Sequence, residues 1–275
     1  MLRKIRFYAA ILCFGWITLL FLDFTGKVQH WFGWLAKIQL LPALLALNGV
    51  IVVAVLLVTL LFGRIYCSVL CPLGVFQDVV AWFAGLRRPR RFRYTPPRNG
   101  LRLGSLAVFA VLVLLGLGPV FALVAPYSAY GRMVSSLLGP IYGLGNNLIA
   151  KLAAGFDSFL FYEIRIGIPP VGTLLGSLAT FALLAVLAWR NGRTYCNTIC
   201  PVGTLLGTVS RFALFRPRIE TSQCSGCGVC ARSCKAGCID PKGRTVDPSR
   251  CVSCLTCIDN CPKGLLHFTW RASHD

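Results

Sequence analysis

The sequence predicts an all-α membrane protein carrying a small α+β, cysteine-rich domain at its C-terminal end. Three observations lead there. The 275 residues are 56% hydrophobic, against about 45–50% for soluble domains. Four apolar stretches reach the about 20 residues that a bilayer crossing needs. Two cysteine-bearing segments repeat each other 129 positions apart, and nine more cysteines lie between 224 and 261.

The apolar stretches run from Phe7 to Phe24, Leu40 to Phe62, Leu101 to Val124 and Val171 to Trp189. They are expected to be four transmembrane helices, paired as two duplicated hairpins within a domain of residues 1–218, with a second domain at 219–275. Arg3, Lys4 and Arg6 precede the first stretch as they would in a signal peptide. The apolar run is longer than such a segment, and no small-residue cleavage site follows, so it reads as a permanent helix. Cys13 within it reads as a small buried hydrophobe. Residues 133–165 are broken by Gly139, Pro140, Gly143, Gly145, Asn146 and Asn147 and are expected to be interfacial or partly re-entrant.

The formal net charge of +19 is distributed unevenly. Arg87, Arg88, Arg90, Arg91, Arg93 and Arg98 lie between stretches two and three, and Arg190, Arg193, Arg211, Arg216 and Arg218 follow stretch four. The opposite side holds only Lys27, Lys37, Arg132, Lys151 and Arg165. Lys and Arg stay inside, so both termini and the C-terminal domain are expected on the cytoplasmic face of a bacterial inner membrane. This accounts for the run "RRPRRFR" without nucleic acid and leaves anionic lipid headgroups as a secondary partner.

In the tail, Cys224, Cys227, Cys230 and Cys234 follow C-x2-C-x2-C-x3-C, as do Cys251, Cys254, Cys257 and Cys261, the last before Pro262. This is the bacterial two-cluster ferredoxin run, in which the fourth cysteine crosses to the other cluster. One [4Fe–4S] cluster is expected on Cys224, Cys227, Cys230 and Cys261, the other on Cys251, Cys254, Cys257 and Cys234. Gly226, Gly228 and Ser253 suit loops whose N–H groups approach cluster sulfurs. Structural zinc is the alternative, and two complete runs argue against it. Lys235 stands where a proline is usual, and Cys238 is an extra thiol that reads as a packed hydrophobe.

The repeat is "GRIYCSVLCPLG" at 63–74 and "GRTYCNTICPVG" at 192–203. Each copy follows an inward-going apolar stretch. The i, i+4 spacing puts both thiols of a pair on one helical face, and Pro72 and Pro201 suit the first turn of a new helix. Cys67, Cys71, Cys196 and Cys200 together make the four ligands of a third [4Fe–4S] cluster; two separate dithiols are the other reading. Arg64 and Arg193 favour thiolate beside them, and Tyr66 and Tyr195 read as interfacial belt residues.

Two C-x3-C-P motifs after apolar helices and a double-cluster tail make the chain similar to the NapH/NosR family of membrane ferredoxins, nearest the NapH type. "YCSVLCPLG", "YCNTICPVG", the tail and the segment "APYSAYGR" at 125–132 carry the likeness. It implies a quinol-oxidising membrane component that passes electrons through iron–sulfur clusters to another ferredoxin or redox subunit, with the quinone pool as its substrate. A similar set occurs in accessory factors that help mature respiratory metalloenzymes, which is the alternative. His30, His267 and His274 lie outside the apolar stretches, so a bis-histidine haem is excluded, and no C-x-x-C-H or P-loop is present. Quinone contact is expected near the extracytoplasmic ends of stretches three and four, where Arg132 and Glu163 are the available polar groups.

Overall fold

Helix α1 (Leu2–Leu22) carries apolar side chains on every face. Many of them, such as Ile11 and Leu12, stay exposed. At its end the Asp23 carboxylate accepts the N–H groups of Thr25, Gly26 and Gln29. That cap turns the chain back through α2 (Lys27–Phe32) and α3 (Trp34–Lys37), and Phe32 stacks on Trp16 with ring centroids 3.8 Å apart. The computed structural model describes residues 2–87, 92–154 and 162–270. Arg88, Arg90, Arg91, His274 and the side chain of Arg87 lie outside the described residues.

Two helices are long and apolar enough to cross a membrane, α1 and the later 171–191. The expected second and third crossings are not single helices. The stretch 40–62 is α4 (Leu40–Leu45) and α5 (Gly49–Phe62), parted where Leu47 takes a left-handed φ of 53° and the Asn48 side chain caps Ile51 N–H at 3.3 Å. The stretch 101–124 is α8 (Asn99–Leu114) and α9 (Gly118–Val124), parted at Gly116, whose φ is 68°. Between these lie α6 (Tyr66–Val69) and α7 (Pro72–Arg87).

After α9 the chain enters α10 (Pro126–Met133), one π-helical turn (Val134–Leu138) and α11 (Gly139–Ala154). The 125–133 stretch is buried in the bundle: Tyr130 shares a 2.7 Å hydrogen bond with Thr18, and a Cβ on Gly131 would meet the Phe21 ring. Helices α12 (Val171–Asn191), α13 (Thr194–Thr198) and α14 (Pro201–Ser210) complete the bundle.

The cysteine-rich unit starts with β1 (Phe215–Ile219), inside the expected first domain, because β1 pairs antiparallel with the final strand β4 (Leu266–Trp270). Between them stand α15 (Val229–Ser233), the small antiparallel pair β2 (Ile239–Asp240) and β3 (Thr245–Val246), and α16 (Thr256–Asp259). One buried apolar cluster runs unbroken from Ile17 and Leu184 in the bundle through the repeated motifs to Ile239 and Leu266. Against that core the N-terminal ends of α1 and α8 and the C-terminal ends of α5 and α12 all meet the cysteine-rich unit. Arg3 pairs with Asp259, Ser253 donates to the Phe62 carbonyl, Arg102 donates to Ser249, and Arg193 N–H donates to the Lys235 carbonyl.

Candidate iron–sulfur centres

In the cysteine-rich unit, each C-x2-C-x2-C loop places left-handed residues at matching positions. They are Gly226 and Gly228 in one loop, and Ser253 and Leu255 in the other. Such turns point successive N–H groups into a concavity that suits anionic sulfur. Leu255 is the residue that sequence reading overlooked; a branched side chain at φ 60° gives no sequence signal for a turn.

Two cavities open beneath these loops. One is lined by Cys224, Cys227, Cys230 and Cys261, the other by Cys234, Cys251, Cys254 and Cys257. The grouping is the crossed one that the spacing predicts. The first cavity faces outward, with Cys227 exposed, and the second is turned toward the bundle, with Cys234, Cys254 and Cys257 buried. Cys238 lines the second cavity too, its sulfur 3.5 Å from that of Cys234. Hydrogen bonds from Cys238 and from nearby backbone N–H groups stabilise the Cys234 thiolate and hold its pKa down at about 6, while the same exchange and burial push the Cys238 thiol well up. Among the described residues no three His, Cys, Asp or Glu side chains gather as around a single ion.

The repeated motifs share one construction. Gly63 and Gly192, at φ 72° and 70°, end the preceding helix. Cys67 and Cys196 lie in the short helices α6 and α13, and Pro72 and Pro201 open α7 and α14. Cys71 and Cys200 therefore sit at a helix break; the expectation of both thiols on one continuous helix is corrected by Pro at the following position. Gly74 and Gly203 have a packing reason. A Cβ on Gly74 would collide with the Cys67 carbonyl oxygen, and one on Gly203 with that of Cys196.

The two motifs hold each other. Arg64 donates to the Cys196 carbonyl at 3.0 Å, and Arg193 donates to the Cys67 carbonyl at 2.8 Å. All four thiols are buried. Burial and their mutual repulsion push the thiols of Cys71 and Cys200 up; burial does the same to Cys196 against the opposing pull of Arg193. Gln77 donates to the Cys196 sulfur at 3.0 Å, a contact without a counterpart in the second repeat, where Leu206 stands 129 positions on. Tyr66 and Tyr195 are not belt residues. The Tyr66 hydroxyl donates to Gln39 at 2.8 Å and accepts from Leu40 N–H, and the Tyr195 hydroxyl donates to the Val124 carbonyl at 2.6 Å.

The charge balance tests whether an anionic cluster fits. Arg193 is paired with Asp78 at 2.6 Å, and Lys235 reaches the same carboxylate at 2.6 Å, which holds Asp78 well below the usual carboxylate range. Arg64 is fully buried, yet it donates only to neutral oxygens, of Asn197, Ser249 and Cys196, and its Nε has no partner. Arg6 is buried against the Ser68 carbonyl in the same way. A buried cation without an anion is costly. Four thiolates carrying iron and sulfide would supply net negative charge at this place, so the residues fit the group.

The two residues of the quinone expectation lie on separate segments. The Tyr195–Val124 bond shows that α9 returns toward the motif after the bend at Gly116. The Arg132 guanidinium reaches the Leu123 carbonyl at 3.5 Å and stands within electrostatic reach of Tyr195, while its carbonyl accepts from Ser177 in the first third of α12. Glu163 is exposed on an extended segment that Asn146 and Asn147 tie to α11 through Tyr162 and Ile164. No ion pair joins it to Arg132 among the described residues.

Known proteins bear on both halves of the site. A family described as 4Fe-4S binding domain matches residues 44–91 and again 173–221, so one profile takes in each C-x3-C-P motif with its flanking helices. A second 4Fe-4S binding domain matches 244–267. The ferredoxin-type protein NapH of Haemophilus influenzae is 29% identical over 85% of this chain and 71% of its own length. NapH of Escherichia coli is 27% identical with the same coverage of each. The regulatory protein NosR of Pseudomonas aeruginosa is 26% identical over 74% of this chain, which covers 25% of that protein. No solved structure matches. With two apolar helices long enough for a bilayer and 4Fe-4S binding domains matched in both halves, the chain is a ferredoxin-type electron-transport protein related to NapH.

Proposed function

We propose that the chain is a quinol-oxidising membrane component that passes electrons through three [4Fe–4S] clusters to a reductase or other redox partner. One observation supports this most: three cysteine sets adjoin in a row. Cys67, Cys71, Cys196 and Cys200 lie in the bundle, Cys234, Cys251, Cys254 and Cys257 at the junction, and Cys224, Cys227, Cys230 and Cys261 at the outer face. When bound, the clusters supply one-electron transfer, so a quinol gives up its two electrons singly.

The chain's own residues set the order. Asn197 donates to the Ala236 carbonyl at 2.9 Å and Arg193 N–H to that of Lys235 at 2.8 Å, so the motif pair touches the backbone that follows Cys234. Arg64, Arg193 and Arg6 hold positive charge where electrons enter the junction. The exposed Cys227 end is where a soluble partner docks. Quinone is proposed to approach from the bundle side, at Arg132, with Glu163 as a proton carrier at the surface. The bundle lies in the inner membrane with α1, α4–α5, α8–α9 and α12 embedded and the ferredoxin unit in the cytoplasm, as the arginine distribution requires.

Iron and labile sulfide per chain in anaerobically purified protein, with EPR during graded reduction, tests the reading. About twelve irons per chain is the expected value for three cubanes, and about eight would remove the bundle cluster. Full reduction by dithionite but none by a quinol analogue would remove the quinol-oxidising role.

A further inference from the structure

A cavity between the end of α12 and the ferredoxin unit lies beside the path above and shares Asn197 and Ala236 with it. Its atom-free space, open mouth included, is about 1430 Å³, and four of its lining residues are arginines: Arg93, Arg98, Arg190 and Arg250. No carboxylate lines it among the described residues. Arg250 is 3% exposed; its Nε pairs with Asp247 at 2.7 Å, its Nη1 donates to the Thr95 carbonyl and its guanidinium lies 5.6 Å from the Tyr94 ring centroid, while its Nη2 is buried with no hydrogen-bond partner. Arg93, Arg98 and Arg190 form no ion pair among the described residues. One wall is apolar: Leu187 lines the cavity, and Leu183 and Val186 on the same helix are 56% and 54% exposed.

A concentration of guanidinium groups with an unsatisfied buried donor calls for an oxyanion, and planar guanidinium forks match phosphate oxygens in pairs. The Leu183–Leu187 face running from the mouth calls for hydrocarbon beside that oxyanion. We propose that this cavity binds the phosphate of an anionic phospholipid, with its acyl chains along α12 at Leu183, Val186 and Leu187. The inference rests on the membrane reading above, because the mouth must open at headgroup level. A lipid held there ties Arg93 and Arg98, which precede α8, to Arg190 on α12 and Arg250 on the ferredoxin unit. It acts as a clasp across the junction.

The full-length protein, purified in neutral detergent and placed in nanodiscs of phosphatidylglycerol or of phosphatidylcholine, tests this by native mass spectrometry of retained lipid. Wild type is expected to keep phosphatidylglycerol and release phosphatidylcholine. Arg98→Gln with Arg190→Gln, both exposed positions, should cut phosphatidylglycerol retention about tenfold while iron content and EPR stay unchanged. Arg190→Lys should retain most of the binding. Equal retention of the two lipids, or unaltered retention in the double variant, overturns the proposal. Displacement by millimolar inorganic phosphate, with no preference for lipid, makes it a free-phosphate site and also overturns it; so does capture of an acidic protein in place of lipid. Extraction of the chain from membranes by carbonate alone would instead remove the membrane reading on which the site depends.

Discussion

Arg64 donates from Nη2 to the carbonyl of Cys196, 132 positions away in sequence, at 3.0 Å. Arg193 returns the contact to Cys67, so neither motif is complete without the arginine of the other. The exchange is reciprocal but not symmetric. Arg193 has Asp78, whereas the corresponding place beside Arg64 is Gly207, where Arg102 and the Ser249 carbonyl fill the space. Arg64 therefore depends on the anionic centre more than Arg193 does. Arg64→Leu is expected to lower iron by about one cubane per chain, while Arg64→Lys, which keeps the charge, retains part of it. Equal iron in wild type and Arg64→Leu would refute the dependence.

Gly74 and Gly203 should be intolerant of a single methyl group. Gly74→Ala or Gly203→Ala pushes against a carbonyl oxygen that is itself held by the opposing arginine, so the backbone has little room to yield. Each is expected to cost about 1–3 kcal/mol as an overpacking change. Gly104 in α8 has nothing near its missing Cβ. Gly104→Ala should be neutral or stabilising by up to about 1 kcal/mol. Thermal unfolding of the three variants in one detergent checks the contrast, and equal behaviour would remove the packing argument.

The Asp78 carboxylate bridges Arg193 and Lys235 and so fastens the bundle to the loop after Cys234. Removing it in Asp78→Asn leaves two partly or fully buried cations unpaired, a loss of about 3–5 kcal/mol by comparison with other broken buried pairs. The folded-state pKa is depressed, so the stabilisation is present above the unfolded value near 3.8 and is lost as pH falls toward the lower folded value. Wild type should thus begin to lose junction stability below about pH 4, and Asp78→Asn should show no such step. Limited proteolysis between α14 and β1 across pH measures it. An identical acid profile in both proteins would dismiss Asp78 as the fastener.

Cys238 and Cys234 compete for the second ferredoxin cavity, since both sulfurs face it 3.5 Å apart. The spacing makes Cys234 the expected ligand. Cys238→Ala is expected to leave iron unchanged, and Cys234→Ser to lose about one cubane. Loss of iron in Cys238→Ala would exchange the two assignments.

How much of this could be read from the chain differs by element. The long apolar helices at 2–22 and 171–191 were legible, as the stretches 7–24 and 171–189, because uninterrupted apolar runs of that length stand out from the rest of the chain. The bends at Leu47 and Gly116 were written as "ALNG" and "LGLGP", but hydrophobicity averaged over 20 residues hides a turn inside a run. The two groups of four cysteines around the ferredoxin cavities were legible because the spacing of cluster-binding thiolates is dictated by cluster size. The bend at Gly116, which brings α9 back beside Tyr195, has no local signal that gives its direction. Asp78 left a trace: it is the only carboxylate between Asp23 and Asp157 amid many cations. Its partners Arg193 and Lys235 are brought to it only by tertiary packing.

Cys67, Cys71, Cys196 and Cys200 should behave as one site. All four are buried, the motifs clasp each other through Arg64 and Arg193, and a cubane with three ligands exposes an iron that is readily lost. Replacing any one by Ser is therefore expected to remove about as much iron and activity as replacing all four, because members of a single unit are strongly non-additive. Two separate dithiols predict otherwise: iron stays at the ferredoxin level of about eight per chain, and each pair is lost on its own. Arg64 argues for the shared centre, because two neutral dithiols leave its buried charge without an anion. The comparison to make is iron and labile sulfide in the four single Ser variants against Cys67→Ser/Cys71→Ser. Reduced-state thiol labelling should be run alongside. Singles that keep wild-type iron, with thiols that label pair by pair, would falsify the third cluster and leave the repeated motif as a thiol switch or a structural helix end.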